Sequence, residues 1–62
     1  MGQVVVQVNG KLRSRILVPF GTSKETLESI ALGDEKVKPH LEGKKVAKII
    51  AVPDKLVNIV VK

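Results

Sequence analysis

The side chains able to do chemistry in this chain are cations, and they sit where strands are expected. Lys11, Arg13 and Arg15 stand in residues 1–20 with no acid among them. Lys44, Lys45, Lys48, Lys55 and Lys62 stand in residues 44–62 against one acid, Asp54. Residues 21–43 set Lys24, Lys36 and Lys38 against Glu25, Glu28, Asp34, Glu35 and Glu42. The three stretches therefore carry +3, −2 and +4, which accounts for the net charge of +5. Strand cations without acids beside them suit a polyanion such as an RNA backbone. The competing explanation is that edge lysines only blunt a sheet against aggregation. A merely solvated face usually mixes signs, which favours the polyanion.

No catalytic constellation accompanies these cations. Nucleophilic catalysis needs a base beside Ser or Cys, and His40 is the only histidine. With no Cys and no second His to share a metal, His40 reads as a capping or surface residue. Glu25 and Glu28 lie one turn apart early in an expected helix, where the macrodipole favours acids. The five glycines are separated turn and cap positions without phosphate-loop spacing. No enzyme activity is expected of this chain alone, and no cofactor or metal.

Phe20 is the only aromatic ring, with no Trp or Tyr. Single-strand RNA modules stack bases on aromatic platforms, and none is available here. RNA binding would have to run through phosphates, sugar hydroxyls, shape or arginine planes.

Sixty-two residues make one domain, and a chain of that size buries only about 60% of its unfolded surface. The lack of cysteine removes disulfides and zinc–thiolate sites as staples and fits a reducing compartment. Apolar runs are only a few residues long, against roughly 20 for a membrane span, and no leader of signal-peptide type is present. Met1-Gly2 reads as a start placed ahead of a strand beginning at Gln3, as in an excised fragment, and the fragment is expected to be monomeric.

The elements that must position the cations follow from pattern. Gln3–Val8 and Lys11–Val18 flank Asn9-Gly10, a strong hairpin signal. A two-residue loop would pair Val8 with Lys11 and Val6 with Arg13, mixing valines and cations on one face. A three-residue loop pairs Gln7 with Lys11, Val6 with Leu12 and Val4 with Ser14, and is favoured because it segregates them. Val4, Val6, Leu12, Ser14 and Ile16 then face inward. Gln3, Gln7, Lys11, Arg13 and Arg15 face outward, with Gly10 as an αL bulge. Thr22 and Glu25 form a capping box for a helix whose inner face carries Leu27, Ile30 and Ala31. Gly33 stops it. Asp34 caps a shorter helix with Val37 and Leu41, interrupted by Pro39 and ended by Gly43. Lys45–Val52 and Leu56–Val61 form a second hairpin around Pro53-Asp54-Lys55. Their apolar runs are too continuous to fix parity, so Ile50, Val52, Leu56 or Val60 could give the outer face an apolar patch. The expected fold is α+β: a single ββααββ domain, a four-stranded sheet of two hairpins with one longer and one short helix on one face.

Several separated motifs, in order, resemble the C-terminal end of bacterial leucyl-tRNA synthetases. They are Val6-Gln-Val-Asn-Gly-Lys-Leu-Arg13, Ile16-Leu-Val-Pro19, the Leu27–Leu32 helix, Asp34-Glu-Lys-Val37, His40-Leu-Glu-Gly-Lys44 and Val52-Pro-Asp-Lys-Leu-Val-Asn-Ile-Val-Val61. The resemblance covers about Gln3 to Lys62. It implies a cytoplasmic tRNA-binding appendage, tethered by a linker behind the anticodon-binding domain and reaching the tRNA corner where D- and T-loops meet. The implied partners are tRNA(Leu) and the parent synthetase body. The ATP and Mg of the parent, its leucine, zinc and editing sites, lie elsewhere in such enzymes.

Position by position, the resemblance places Lys11 and Arg13 in the Asn-Gly-Lys-x-Arg hairpin. Lys44 follows His-Leu-Glu-Gly, and Lys55 with Asn58 stands in Pro-x-Lys-Leu-Val-Asn. Together with Arg15, Lys45, Lys48 and Lys62 these are the expected RNA contacts. Asp54 stands where the family often has Gly, and Ala51 where a Tyr is frequent. The alternative function is a protein-docking module whose apolar outer patch packs on its parent or another protein, with lysines only for solubility.

Overall fold

The computed structural model describes all 62 residues. Its elements are β1 (Gly2–Val8), β2 (Lys11–Val18), α1 (Lys24–Gly33), α2 (Lys38–Leu41), β3 (Val46–Val52) and β4 (Leu56–Val61). This is the expected ββααββ order. The strands form one sheet in the order β2-β1-β4-β3. Each hairpin is antiparallel, and β1 runs parallel to β4 where the hairpins meet. A parallel pair needs a long crossover, and here the connection from β2 to β3 supplies both helices.

The two strands without a charged residue, β1 and β4, take the centre, where both backbone edges are paired. Val4, Val6 and Val8 of β1 and Val57, Ile59 and Val61 of β4 are buried with alternation of period two. They pack beneath Leu27 and Ala31, one turn apart on α1, and Val37. The cation-bearing strands β2 and β3 are left as edges, where charge discourages further pairing. Two inner rows can be read straight across the sheet: Lys11–Val8–Ile59–Ile49 and Ser14–Val6–Val57–Ala51.

The first hairpin does not form the expected three-residue loop. Val8 pairs with Lys11 and Gln7 with Leu12, and the register then shifts so that Val6 pairs with Ser14. The loop is the two residues Asn9 (φ 51°) and Gly10 (φ 81°), positive at both positions as a type I′ turn requires. That turn matches strand twist and sets Lys11 opposite Val8 at the hairpin tip, and a bulge that leaves Arg13 without a partner keeps the second cation from standing opposite Val6. Below the bulge the valines face inward as expected. Leu12 does not: it pairs with Gln7 on the outer face and is 48% exposed.

Gly10 itself is required by backbone, not by space. A Cβ there would meet nothing within 4 Å, but the left-handed φ resists a β-branched residue. Gly10→Val should therefore cost about 1 kcal/mol or more, read as a lower urea midpoint with unchanged m-value. An unchanged midpoint would mean that the turn is not held in this conformation.

Gly2 is part of the sheet and not a mere start residue. It is buried, pairs with Val18, and a Cβ on it would lie 2.9 Å from the Phe20 ring. The α1 cap also differs by one residue from expectation. Ser23 Oγ accepts from the Thr26 N–H at 3.3 Å, while the Thr22 hydroxyl donates to the Pro19 carbonyl. Ile30 is 37% exposed and lies off the inner face. Asp34 accepts from the Lys36 N–H at 2.7 Å, an Asx turn, but the α2 cap position is Val37 without a side-chain bond. Pro39 stands in the first turn of α2, where its missing N–H costs least.

Candidate functional site

The sheet settles which way the second hairpin faces. Ile49, Ala51, Val57, Ile59 and Val61 are turned toward the core. Ile50 pairs with Asn58, and Val52 with Leu56, on the helix-free face, which β1 continues with Gln7 and Val5. The outer rows are Leu12–Gln7–Asn58–Ile50 and Arg15–Val5–Leu56–Val52, flanked by Lys48–Val60 and Leu17–Gln3. An apolar outer patch therefore exists, with Leu17 69% and Ile50 43% exposed.

The expectation of a basic sheet face needs correction. Of the nine expected contacts only Arg15, Lys48 and Asn58 project from the outer face, and the two cations stand on opposite edge strands. The physical reason is pleat parity. Alternate positions of β3 and β4 on that face are Ile50, Val52, Leu56 and Val60, which leaves the lysines to strand ends and turns.

The remaining cations divide by position. Lys44, Lys45, Lys48 and Lys62 gather at the open end of the β3–β4 hairpin. Lys45 and Lys62 exchange backbone hydrogen bonds of 3.3 and 2.9 Å across that end, and Lys44 N–H closes the preceding turn on the Leu41 carbonyl at 3.1 Å. Fixed backbone beneath these exposed side chains concentrates their charge. Lys11 sits beside the Asn9-Gly10 tip, and Arg13 and Arg15 follow along β2. Lys55 stands apart in the second hairpin turn, at the other end of the sheet.

Asn58 has a structural duty. Its Oδ1 accepts the Gly10 N–H at 3.0 Å, and Asn9 Oδ1 accepts the Val61 N–H at 2.9 Å. Asn9 N–H donates to the Ile59 carbonyl at 2.9 Å. The two asparagines thus lock the first turn to β4, beside the lysine-rich end. Asp54 does similar work at the opposite end. It adopts φ 63°, which Asp tolerates better than most residues, and its Oδ1 accepts the Gly21 N–H at 3.0 Å.

One residue that sequence reasoning left out joins the β2 cations. Lys36 lines a cleft of about 330 Å³ with Leu12, Arg13, Ser14 and Arg15. Ser14 Oγ donates to Asp34 Oδ2 at 2.9 Å, which draws the α1–α2 turn against β2. No local pattern signals this long-range bond. His40 is half-buried on α2, no three His, Cys, Asp or Glu side chains converge as a metal site, and no helix is long and apolar enough to cross a membrane. What the arrangement offers is a sheet with exposed cations at one end and along one edge, a geometry suited to binding an anion.

Comparison with known proteins gives a consistent assignment. No family model matches the chain. Over 60 residues, 97% of the chain, it is 70% identical to a leucine–tRNA ligase of Solibacter usitatus (strain Ellin6076), spanning 7% of that protein. Its fold matches the LeuRS chain in a crystal structure of the ternary complex of Agrobacterium radiobacter K84 agnB2 LeuRS, tRNA and LeuAMS. That match has a TM-score of 0.90 and 28% identity, covering 98% of this chain and 8% of the other. In sequence and in fold alike, the chain corresponds to one small segment of leucine–tRNA ligases, less than a tenth of either relative's length.

Proposed function

We propose that this domain is the C-terminal tRNA-binding appendage of a cytoplasmic leucine–tRNA ligase, and that it grips the backbone of tRNA(Leu) near the corner to support charging. The observation that carries the reading is the gathering of Lys44, Lys45, Lys48 and Lys62 on a paired strand end. The tRNA in the ternary complex of the structural relative supports it. ATP, Mg and the leucylation chemistry would belong to the rest of the parent enzyme. A weak module gains effective concentration when the tethered body already holds the same ligand, so the domain need not bind tightly alone. Titration of labelled tRNA into the 62-residue chain at low and moderate salt tests this, with salt-sensitive binding expected. Absence of binding at low salt would defeat it.

The exposed Leu12, Leu17, Ile50 and Val52 favour a second reading, docking of the outer face on protein. It predicts that tRNA leaves the chain untouched while the parent body protects those residues.

A further inference from the structure

The free edge of β2 holds a feature separate from the lysine-rich strand end. Its cleft of about 330 Å³ has one apolar residue among five lining it. Sites for small molecules run from about 300 to 1,000 Å³ and are mostly apolar, so this one suits a small polar ligand. Arg13, Arg15 and Lys36 make it cationic. We propose that the cleft is a phosphate-binding subsite, taking a tetrahedral phosphate group from either an RNA backbone or free phosphate.

The bulge is what builds it. With Val6 opposite Ser14 and Gln7 opposite Leu12, Arg13 is the extra residue of β2 and is re-aimed out of the ladder. Its side chain is half-buried, and its Nε is buried without a hydrogen-bond partner. A buried donor in that state is costly unless an acceptor meets it. Asp34, which Ser14 draws to β2, already accepts from Ser14 Oγ at 2.9 Å and from Lys36 N–H at 2.7 Å. Those bonds set Lys36 beside the arginines, and no acidic residue is among the five that line the cleft. The Arg13 guanidinium fork, its Nε unpartnered, matches phosphate oxygens in geometry as well as charge, and Arg15 and Lys36 add positive charge around it.

For an RNA source this inference rests on the proposed function; for free phosphate it does not. The test follows the arginine Nε–H and Lys36 amide signals of the ¹⁵N-labelled chain by NMR. One arm titrates inorganic phosphate and the other tRNA, each against sodium chloride of equal ionic strength. Saturable shifts at Arg13, Arg15 and Lys36 are expected, weakened about fivefold in Lys36→Ala, whose exposed turn position leaves folding intact. Shifts in the tRNA arm identify the diester source, and shifts with phosphate alone identify the free anion. If tRNA moves Lys45 and Lys62 but neither ligand moves the cleft, the subsite is refuted while the RNA-binding reading stands. If phosphate moves the cleft and tRNA binds nowhere, the reverse holds. Shifts that chloride reproduces also overturn the subsite.

Discussion

Leu27→Ala is expected to leave the chain largely unfolded at 25 °C. Leu27 is fully buried and, with Ala31, is the means by which α1 holds to the sheet. Truncating a buried Leu costs about 2–5 kcal/mol, the higher values where the site cannot collapse. A core of this size rarely supplies more than about 3–5 kcal/mol of net stability, and no disulfide lies in reserve. The loss therefore matches the whole margin. Ile30→Ala, on the same helix but 37% exposed, should cost less than about 1 kcal/mol. Circular dichroism and urea melts of both variants check the pair. Comparable losses at the two positions would contradict the inner face assigned to α1.

The second large effect is on the salt dependence of RNA binding. With no aromatic platform, contacts are mostly ionic, and three to five neutralised phosphates give a log K against log salt slope of roughly −2 to −4. Lys45 and Lys62 face the same strand end, joined by backbone bonds in both directions. Replacing both with Ala should flatten the slope by about 1 to 2 and reduce affinity roughly tenfold at low salt. Their mutual bonds are made by main chain, so the fold is kept. Lys55→Ala, at the other end of the sheet, and Lys24→Ala, beside Glu25 and Glu28, are the controls and should change little. Equal losses from all of these would signify attraction to net charge without a defined surface.

Much of the architecture was legible in the residues. Alternating valines in β1, the Asn-Gly turn, Gly43 at φ 72° as a stop and the Pro53-Asp54-Lys55 loop give the element order, because each is a local rule about φ or pleat. Gly33, by contrast, is itself the last residue of α1, and the cap is Asp34. What escaped depends on partners far along the chain. A bulge at Arg13 is decided by counting residues across two strands: one extra residue restores the parity of β2 behind a two-residue loop, which the order of side chains along one strand does not reveal. Thr22 and Ser23 are both competent caps, and the Pro19 carbonyl claims the former. The unbroken apolar run of β3 concealed its inward side until Ile49 and Ala51 met Ile59 and Val57. Parity then moved the basic surface from the sheet face to the strand ends. Lys36 was invisible for a similar reason, since only the bond from Ser14 to Asp34, 20 residues apart, brings its turn to β2.

The central claim is that one end of the sheet meets tRNA, and an amide shift map tests it most directly. Titrating tRNA(Leu) into the ¹⁵N-labelled chain at low salt should move Lys44, Lys45, Lys48, Val61 and Lys62, together with the adjoining Asn9-Gly10-Lys11 turn. Residues of α1 and the Pro53-Asp54-Lys55 loop should stay in place. Shifts centred instead on Leu17, Ile50 and Val52, or spread evenly over α1 and the sheet, would contradict it.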